Sequence, residues 1–281
     1  RQCLLALLAC TVPLACRSYG AFRAREGPEN GTATVAVVAQ CNPDLENLVR
    51  LTRQVGPQSP ELVVWPSSPV AQASSRNPDA TLSPSSLGSF AREMGCTIVT
   101  GANAPGPDEP PLEALVLDRQ GVVTAGYPPR PEVTQNLGGG TRLPWLFAGP
   151  RGKAGLGIDS DLDSPWLARQ MAAQEAGILI SATRDAGSRG WRGIGLHAEM
   201  QRFRALENRK WLVMSGANAA FIADPFGRRR LHIEGVEAVG TGEVEWLFEQ
   251  SFYTRAGWWL EPACLAGAGW IVIWGIVGWV V

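Results

Sequence analysis

Short apolar runs alternate with amphipathic stretches over most of this 281-residue chain. Several of the runs are rich in β-branched residues or end next to Pro, Gly or Asn, which predicts buried strands over 34–40, 61–65, 96–100, 155–158, 177–182, 211–215 and 219–223. Apolar residues at helical spacing predict helices over 45–55, 82–94, from 159 to about 176, and over 195–208. A hairpin is predicted over 112–127, and 128–151 is expected to be irregular. This pattern predicts an α/β domain with layered sheets covered by helices.

Both ends of the chain are strongly apolar. Residues 3–16 carry no charge but are too few to span roughly 30 Å of hydrocarbon, so segment 1–18 is predicted to be a membrane helix or part of one. The 20 residues from Pro262 to Val281 are also uncharged and suffice for one transmembrane helix. Trp258 and Trp259 stand where an interfacial aromatic belt is expected. We therefore expect a globular domain over 32–257, held by a membrane helix at each end.

Charge and cysteine content narrow the possible functions. The formal net charge is −1, which does not favour a nucleic-acid partner. Cys41 and Cys96 are the cysteines of the predicted globular domain, either as a disulfide or as two buried free thiols. The histidines are His197 and His232, and no Cys/His cluster is present, so neither a zinc site nor a cofactor is predicted.

The most informative stretch is the apolar run Gly155–Ile158, which ends abruptly at Asp159 and leads into a helix. Many α/β hydrolytic folds present their nucleophile on such a turn between a strand and a helix. Asp159, Asp161 and Asp163 have the spacing of a calcium loop, but that loop would require Gly at Ser164 and Glu at Gln170. No metal site is predicted, and Asp161 and Asp163 are expected at the helix N-terminus.

The order of motifs resembles the carbon–nitrogen hydrolase (nitrilase) superfamily and, within it, the apolipoprotein N-acyltransferases. The motifs that carry the resemblance are E-L-V-V-W-P at 61–66, G-C-T-I-V-T-G-A-N at 95–103, A-L-V-L-D-R-Q-G at 114–121, R-F-R-A-L-E-N at 202–208 and F-Y-T-R-A-G at 252–257. The resemblance implies an α-β-β-α sandwich on the periplasmic side of a bacterial inner membrane.

The resemblance also places the Glu–Lys–Cys triad of that family, and all three positions are substituted here. The glutamate position holds Ser67, the lysine position Pro129 and the cysteine position Asp159. Serine is not a general base near neutral pH, proline has no charge to stabilise an oxyanion, and a carboxylate is a far poorer nucleophile than a thiolate. Lys153 is predicted at the wrong end of its strand to substitute for the lysine, and Arg130 hardly deprotonates.

Two further side-chain interactions are expected around the helix at 195–208. His197 is expected to make a structural hydrogen bond, with a catalytic role as the alternative. Arg204 and Glu207 are three residues apart and are expected to pair.

The favoured hypothesis is a catalytically inactive nitrilase-like protein, a pseudoenzyme that serves as a structural or accessory subunit of a larger membrane complex, for example a respiratory or photosynthetic one. Its partners would be other membrane subunits, which dock through the terminal helices and the sandwich surface, with lipid as a further possible contact. Two alternatives stay open: an acyl-transfer enzyme with a rewired site that uses Asp159 and Asp161, and a lipid- or ligand-binding module that retains the pocket without turnover.

Overall fold

The computed structural model describes residues 31–40, 45–67, 84–101, 114–127, 143–184, 190–235, 237–259, 265–270 and 274. Within these ranges the strands form two six-stranded sheets. We number strands and α-helices in chain order.

The first sheet contains β1 (Thr32–Gln40), β2 (Leu62–Val64), β3 (Thr97–Gly101), β4 (Ala114–Leu117), β5 (Val123–Tyr127) and β12 (Glu237–Glu245). Their spatial order is β12-β1-β2-β3-β4-β5. Strands β1, β2 and β3 are parallel, and the others pair antiparallel with their neighbours. The continuous apolar sequence of the parallel strands fits their position, because both faces of these strands are covered.

The second sheet contains β6 (Leu146–Gly149), β7 (Gly152–Ile158), β8 (Ile178–Ala182), β9 (Trp211–Ser215), β10 (Ala219–Ala223) and β11 (Arg229–Glu234), in the spatial order β11-β10-β9-β8-β7-β6. The expectation of an irregular segment over 128–151 is wrong at β6, which pairs antiparallel with β7 through a tight turn. Strands β11 and β12 were not predicted from the sequence either. All three are edge strands with one neighbour in their sheet. Polar residues interrupt β11 and β12, so these two lack the continuous apolar run of a central strand, whereas β6 is apolar but only 4 residues long.

Helices cover the outer faces of both sheets. Helices α1 (Leu45–Gln54) and α2 (Pro84–Met94) lie on the first sheet, and α3 (Pro165–Ala173) and α4 (Gly190–Asn208) lie on the second. The short helix α5 (Phe252–Ala256) packs against α3 and α4. Where a single helix was expected after β7, the structure has a 3-10 turn over Asp161–Asp163 followed by α3, because Pro165 starts a new helix. The two sheets and their helical layers confirm the expected α/β sandwich.

Side chains alternate between an inner core and two outer cores. Val35 and Val37 belong to the apolar cluster between the sheets, whereas Ala36 and Val38 belong to the cluster under α1 and α2. A third cluster lies between the second sheet and its helices. Burial of each Val, Leu or Ile side chain contributes about 1.5–3 kcal/mol to the free energy of folding, so these three apolar clusters are the main stabilising feature of the domain.

The predicted membrane segments fall largely outside the described residues, as segment 1–18 does entirely. Of the run from Pro262 to Val281, residues 265–270 are helical and exposed, with Leu265 74% and Trp270 66% exposed. Among the described residues, the structure contains no helix that is long and apolar enough to cross a membrane.

Cys96 is a buried free thiol, and burial raises its pKa to about 12. Cys41, its possible disulfide partner, lies outside the described residues. The free thiol of Cys96 agrees with the alternative of two free thiols, and the state of Cys41 stays a prediction from the sequence.

Candidate functional site

The candidate site lies where the carboxyl ends of parallel strands from both sheets meet. Ser67 follows β2 in the first sheet, Asp159 follows β7 directly, and Arg184 follows β8. The backbone N–H of Ser67 donates to the carbonyl of Thr183 over 3.4 Å, which ties the end of one sheet to the other. Ligands of open α/β sheets bind at this kind of edge, so the position itself is that of a functional site.

Two glycines allow neighbouring segments of the chain to approach each other closely at this site. A Cβ atom at Gly101 would lie 2.5 Å from the carbonyl carbon of Ser67, so the segment after β2 crosses directly over the end of β3. A Cβ atom at Gly157 would lie 2.7 Å from Cγ of Leu162, so the 3-10 turn folds back onto β7. Any side chain at either glycine would push Ser67 or the turn after Asp159 out of place.

The carboxylate of Asp159 is the centre of the site and accepts four hydrogen bonds. Its Oδ1 accepts from Ser67 Oγ at 2.9 Å and from the backbone N–H of Arg184 at 2.8 Å. Its Oδ2 accepts from Nε and Nη2 of Arg184 at 3.0 and 2.7 Å. A carboxylate offers about four lone-pair positions. All of them are therefore occupied by groups of the protein itself.

The backbone of Asp159 is held in a left-handed conformation, with φ of 53°. Such a conformation costs a non-glycine residue on the order of 1–3 kcal/mol and persists only where surrounding contacts fix it. Here the N–H of Asp159 donates to the carbonyl of Ala182 at 2.9 Å, and the carbonyl of Asp159 accepts from Gln201 Nε2 at 3.2 Å. The strand-to-turn geometry of a nucleophile position is thus present, with an aspartate in it.

Helix α4 supplies a second row of polar contacts behind this turn. Nδ1 of His197 lies 2.7 and 2.9 Å from the two carboxylate oxygens of Asp163, and its Nε2 lies 2.8 Å from Nε2 of Gln201. A carboxylate only accepts, so in the neutral ring Nδ1 donates to Asp163 and Nε2 accepts from Gln201. His197 therefore positions Gln201, which in turn holds the backbone of Asp159. The structural hydrogen bond expected for His197 is present.

Asp161 has a different environment from the one expected of a helix-terminal acid. It is buried, and its Oδ2 accepts from Tyr127 Oη at 2.7 Å and from the backbone N–H of Ile158 at 2.9 Å. Asp161 therefore joins the hairpin strand β5 to the end of β7. The expectation of a simple N-terminal helix residue is wrong, because the 3-10 turn directs its side chain into the structure.

The structure brings two of the three predicted triad positions into contact, since Ser67 and Asp159 are hydrogen-bonded to each other. Pro129 and Arg130 lie outside the described residues. Lys153 is the second residue of β7, at the far end from Asp159 as its place in the sequence suggested, and it pairs with Glu175 at 2.9 Å. Arg184 was not predicted from the sequence, where its only signal is its position two residues after a buried strand.

Arg204 and Glu207 form the expected ion pair, with Nη1 and Oε2 3.0 Å apart. Burial raises the pKa of Glu207, and the guanidinium of Arg204 opposes that shift. Within the described part of the chain, no three His, Cys, Asp or Glu side chains are grouped so that they could hold a metal ion.

Comparisons with known proteins agree with the geometry at the level of fold. The sequence matches no protein-family model, and no curated protein matches it. Among solved structures, the NitFhit protein of C. elegans is 17% identical with a TM-score of 0.64, over 77% of this chain and 61% of that one. This chain thus spans about three fifths of the length of NitFhit.

An amidase of the nitrilase superfamily from Nesterenkonia sp. AN1 is 18% identical with a TM-score of 0.60, over 79% of this chain and 93% of that one. Another structure of this amidase, with acrylamide added at its active-site cysteine, is also 18% identical, with a TM-score of 0.58 over 77% of this chain and 94% of that one. At these identities the likeness concerns the fold alone. The chain therefore shares its fold with these solved structures, which agrees with the α-β-β-α sandwich that the sequence resemblance implied.

Proposed function

We propose that this nitrilase-fold chain is catalytically inactive and serves as a structural or accessory subunit of a larger membrane complex in a bacterial inner membrane. Its globular domain would lie on the periplasmic side. The observation that carries the inactivity is the saturated carboxylate of Asp159, with four protein donors on its two oxygens.

The chemistry of acyl transfer requires a nucleophile with an available electron pair and a base to activate it. The amidase described above reacts at a cysteine, whereas the sequence resemblance assigns Asp159 to that position here. A carboxylate whose lone pairs all accept hydrogen bonds is a weaker nucleophile than a free one. Ser67, at the glutamate position, donates a hydrogen bond to the carboxylate of Asp159 and so helps to occupy its lone pairs.

The apolar ends of the chain support the membrane part of the proposal. Residues 265–270, inside the uncharged run from Pro262 to Val281, form a helical segment whose side chains are all exposed. Exposed apolar side chains on a helix require an apolar partner, either lipid or another protein. Other membrane subunits would bind this helix and the surface of the sandwich.

Inactivity is tested by labelling the purified full-length chain with an activated acyl ester and mapping the adducts by mass spectrometry. We expect no adduct at Asp159, and the variant Asp159→Cys should be alkylated there by iodoacetamide, which shows that reagents reach the position. An acyl adduct at Asp159 that is lost in Asp159→Asn would contradict the proposal and favour the enzyme alternative.

The role as a subunit is tested by mild-detergent purification from the native membrane, followed by mass spectrometry of the proteins that accompany the chain. A stoichiometric set of membrane proteins is the expected result. A lone monomer on native gels would contradict the proposal. A lone monomer with a bound lipid or small molecule would favour a binding module instead.

A further inference from the structure

The helical layer on the second sheet exposes large apolar side chains near the point where the chain leaves the domain. Phe203 and Leu206 on α4 are 51% and 41% exposed, Phe252 on α5 is 66% exposed, and Trp259 just after α5 is 46% exposed. We call these four residues the α4–α5 patch. Large apolar side chains exposed on two helices that pack together are typical of a surface that contacts a protein or a membrane.

Helices α4 and α5, which carry three of the four patch residues, are fixed to each other by hydrogen bonds. Ser251 Oγ donates to the carbonyl of Glu207 at 2.6 Å, and Thr254 Oγ1 donates to Asn208 Oδ1 at 3.1 Å. These contacts join the end of α4, where Phe203 and Leu206 lie, to the start of α5 at Phe252. The orientation of the patch is thereby set by buried polar contacts.

The covalent chain keeps this surface close to the apolar C-terminal run. Pro262, the first residue of that run, follows Trp259 by three residues. Three residues span at most about 11 Å even when fully extended. If the run from Pro262 enters a bilayer, the end of the domain that carries α5 lies within that distance of the lipid head groups.

Arginine side chains border the patch. The guanidinium groups of Arg209 and Arg228 lie 5.0 Å from the ring centroid of Phe226, and Arg228 also pairs with Asp224 at 2.7 Å. Arg255 on α5 is exposed. The turn that carries Phe226 packs against α4, since a Cβ atom at Gly227 would lie 3.6 Å from Cβ of Leu206. Apolar residues bordered by arginine suit a surface of anionic lipid, where the apolar groups enter the head-group region and the guanidinium groups bind phosphate.

We propose that the α4–α5 patch rests on the anionic head-group surface of the membrane that anchors this chain, so that the second sheet faces the bilayer and the first sheet faces away. This inference rests on the proposed membrane anchoring. The inference specifies which face of the sandwich contacts lipid. The helical layer of the first sheet then stays available to other subunits.

The test is photo-crosslinking of the full-length chain in vesicles of phosphatidylglycerol and phosphatidylethanolamine. Benzoylphenylalanine replaces Phe203 in one variant and Phe252 in another, and it replaces Val122 in the control. Val122 is 57% exposed and follows Gly121, which packs directly on Gly88 of α2 in the other helical layer. We expect severalfold more lipid adducts at positions 203 and 252 than at position 122.

A carbonate wash of the same vesicles separates the two proposals. Release of the chain by the wash overturns the membrane anchoring and, with it, this inference. If the chain stays in the vesicles but positions 203 and 252 give no more lipid adducts than position 122, only the orientation is overturned. Crosslinks from positions 203 and 252 to a second protein chain in place of lipid overturn it as well and identify the patch as a protein interface.

Discussion

The two sheets have the same arrangement of three parallel strands under a helical layer, but they bury different chemistry. The buried polar residues of the first sheet and its helices are uncharged, such as Thr52 and Thr100 among the described residues. The second sheet and its helices bury Asp161, Lys210 and Asp224. Buried charge is costly unless it is paired or hydrogen-bonded, so the second half depends on specific polar contacts where the first depends on packing.

The outer surfaces differ in the same way. None of the side chains described on α1 and α2 is a large exposed apolar residue, and Arg53 closes that surface by pairing with Glu93 through two 2.9 Å hydrogen bonds. Helix α4 has apolar residues on both faces: Ala205 is buried against the sheet, while Phe203 and Leu206 are exposed. The helical layer of the first sheet therefore presents a polar surface to water. The helical layer of the second sheet exposes apolar side chains that suit contact with another molecule.

The largest expected effect is on packing in the first half. Phe90 is 5% exposed, and its ring lies 6.1 Å from Trp65. Phe90→Ala should lower the free energy of unfolding of the full-length chain by about 3–5 kcal/mol, because it leaves a cavity under α2. Denaturant unfolding in mild detergent measures this loss. Phe90→Leu fills most of the space and should lose clearly less.

A smaller effect is expected at the polar site of the second half. Asp159→Ala removes the acceptor of Ser67 and Arg184 and should lower the free energy of unfolding by about 1–3 kcal/mol. Arg184→Ala should lose less than about 1 kcal/mol, because that side chain is half exposed and the ion pair is screened by water.

Asp159→Gly separates the two contributions at this position, because glycine tolerates the left-handed backbone. It should be less destabilising than Asp159→Ala in the same unfolding measurement. An equal loss in Asp159→Ala and Arg184→Ala would show that the hydrogen bond from Ser67 contributes nothing, contrary to the geometry.

The third prediction concerns pH. Burial lowers the pKa of Lys210 to about 8 from 10.5, and its Nζ donates to the carbonyls of Leu247 and Glu249. Between about pH 8 and 10.5 the unfolded chain therefore binds the lysine proton while the folded chain has released it. The free energy of unfolding contributed by this group should rise as the pH rises through that range.

The raised pKa of Cys96 opposes this trend above about pH 9, so the informative quantity is the difference between variants at each pH. Relative to the unmodified chain, Lys210→Met should lose stability progressively as the pH rises from 8 to 10.5. Lys153→Met removes an exposed ion pair and should show no such trend. A difference for Lys210→Met that stays flat over this range would contradict the burial of the ammonium group.

The smallest effect is expected on the exposed face of the second half. Phe203→Ala should change the free energy of unfolding by no more than about 0.5 kcal/mol, because the ring is half exposed. Phe203→Ala and Phe90→Ala are measured in the same unfolding assay, so that the same change from Phe to Ala is compared at one position in each helical layer. A loss at Phe203 as large as that at Phe90 would erase the distinction between them.

The sequence by itself determined the central strands, the helices that cover them and the strand-to-turn position of Asp159. These features follow from residues close together in the chain, since burial on both faces requires a continuous apolar run and helix burial requires the helical period. The motif order also indicated the superfamily fold. The edge strands β11 and β12 escaped prediction because polar residues interrupt their apolar positions, and β6 escaped it because it is only 4 residues long.

The side chains that meet at the candidate site could be identified only from the tertiary structure. Arg184 meets Asp159 from 25 residues away, and Ser67 meets it from 92, because parallel strands from two sheets end at the same place. The direction of the Asp161 side chain and the burial of Lys210 were decided in the same way. Local sequence patterns record whether a residue is buried, whereas the register between distant strands determines which polar groups meet, and that register exists only in the folded chain.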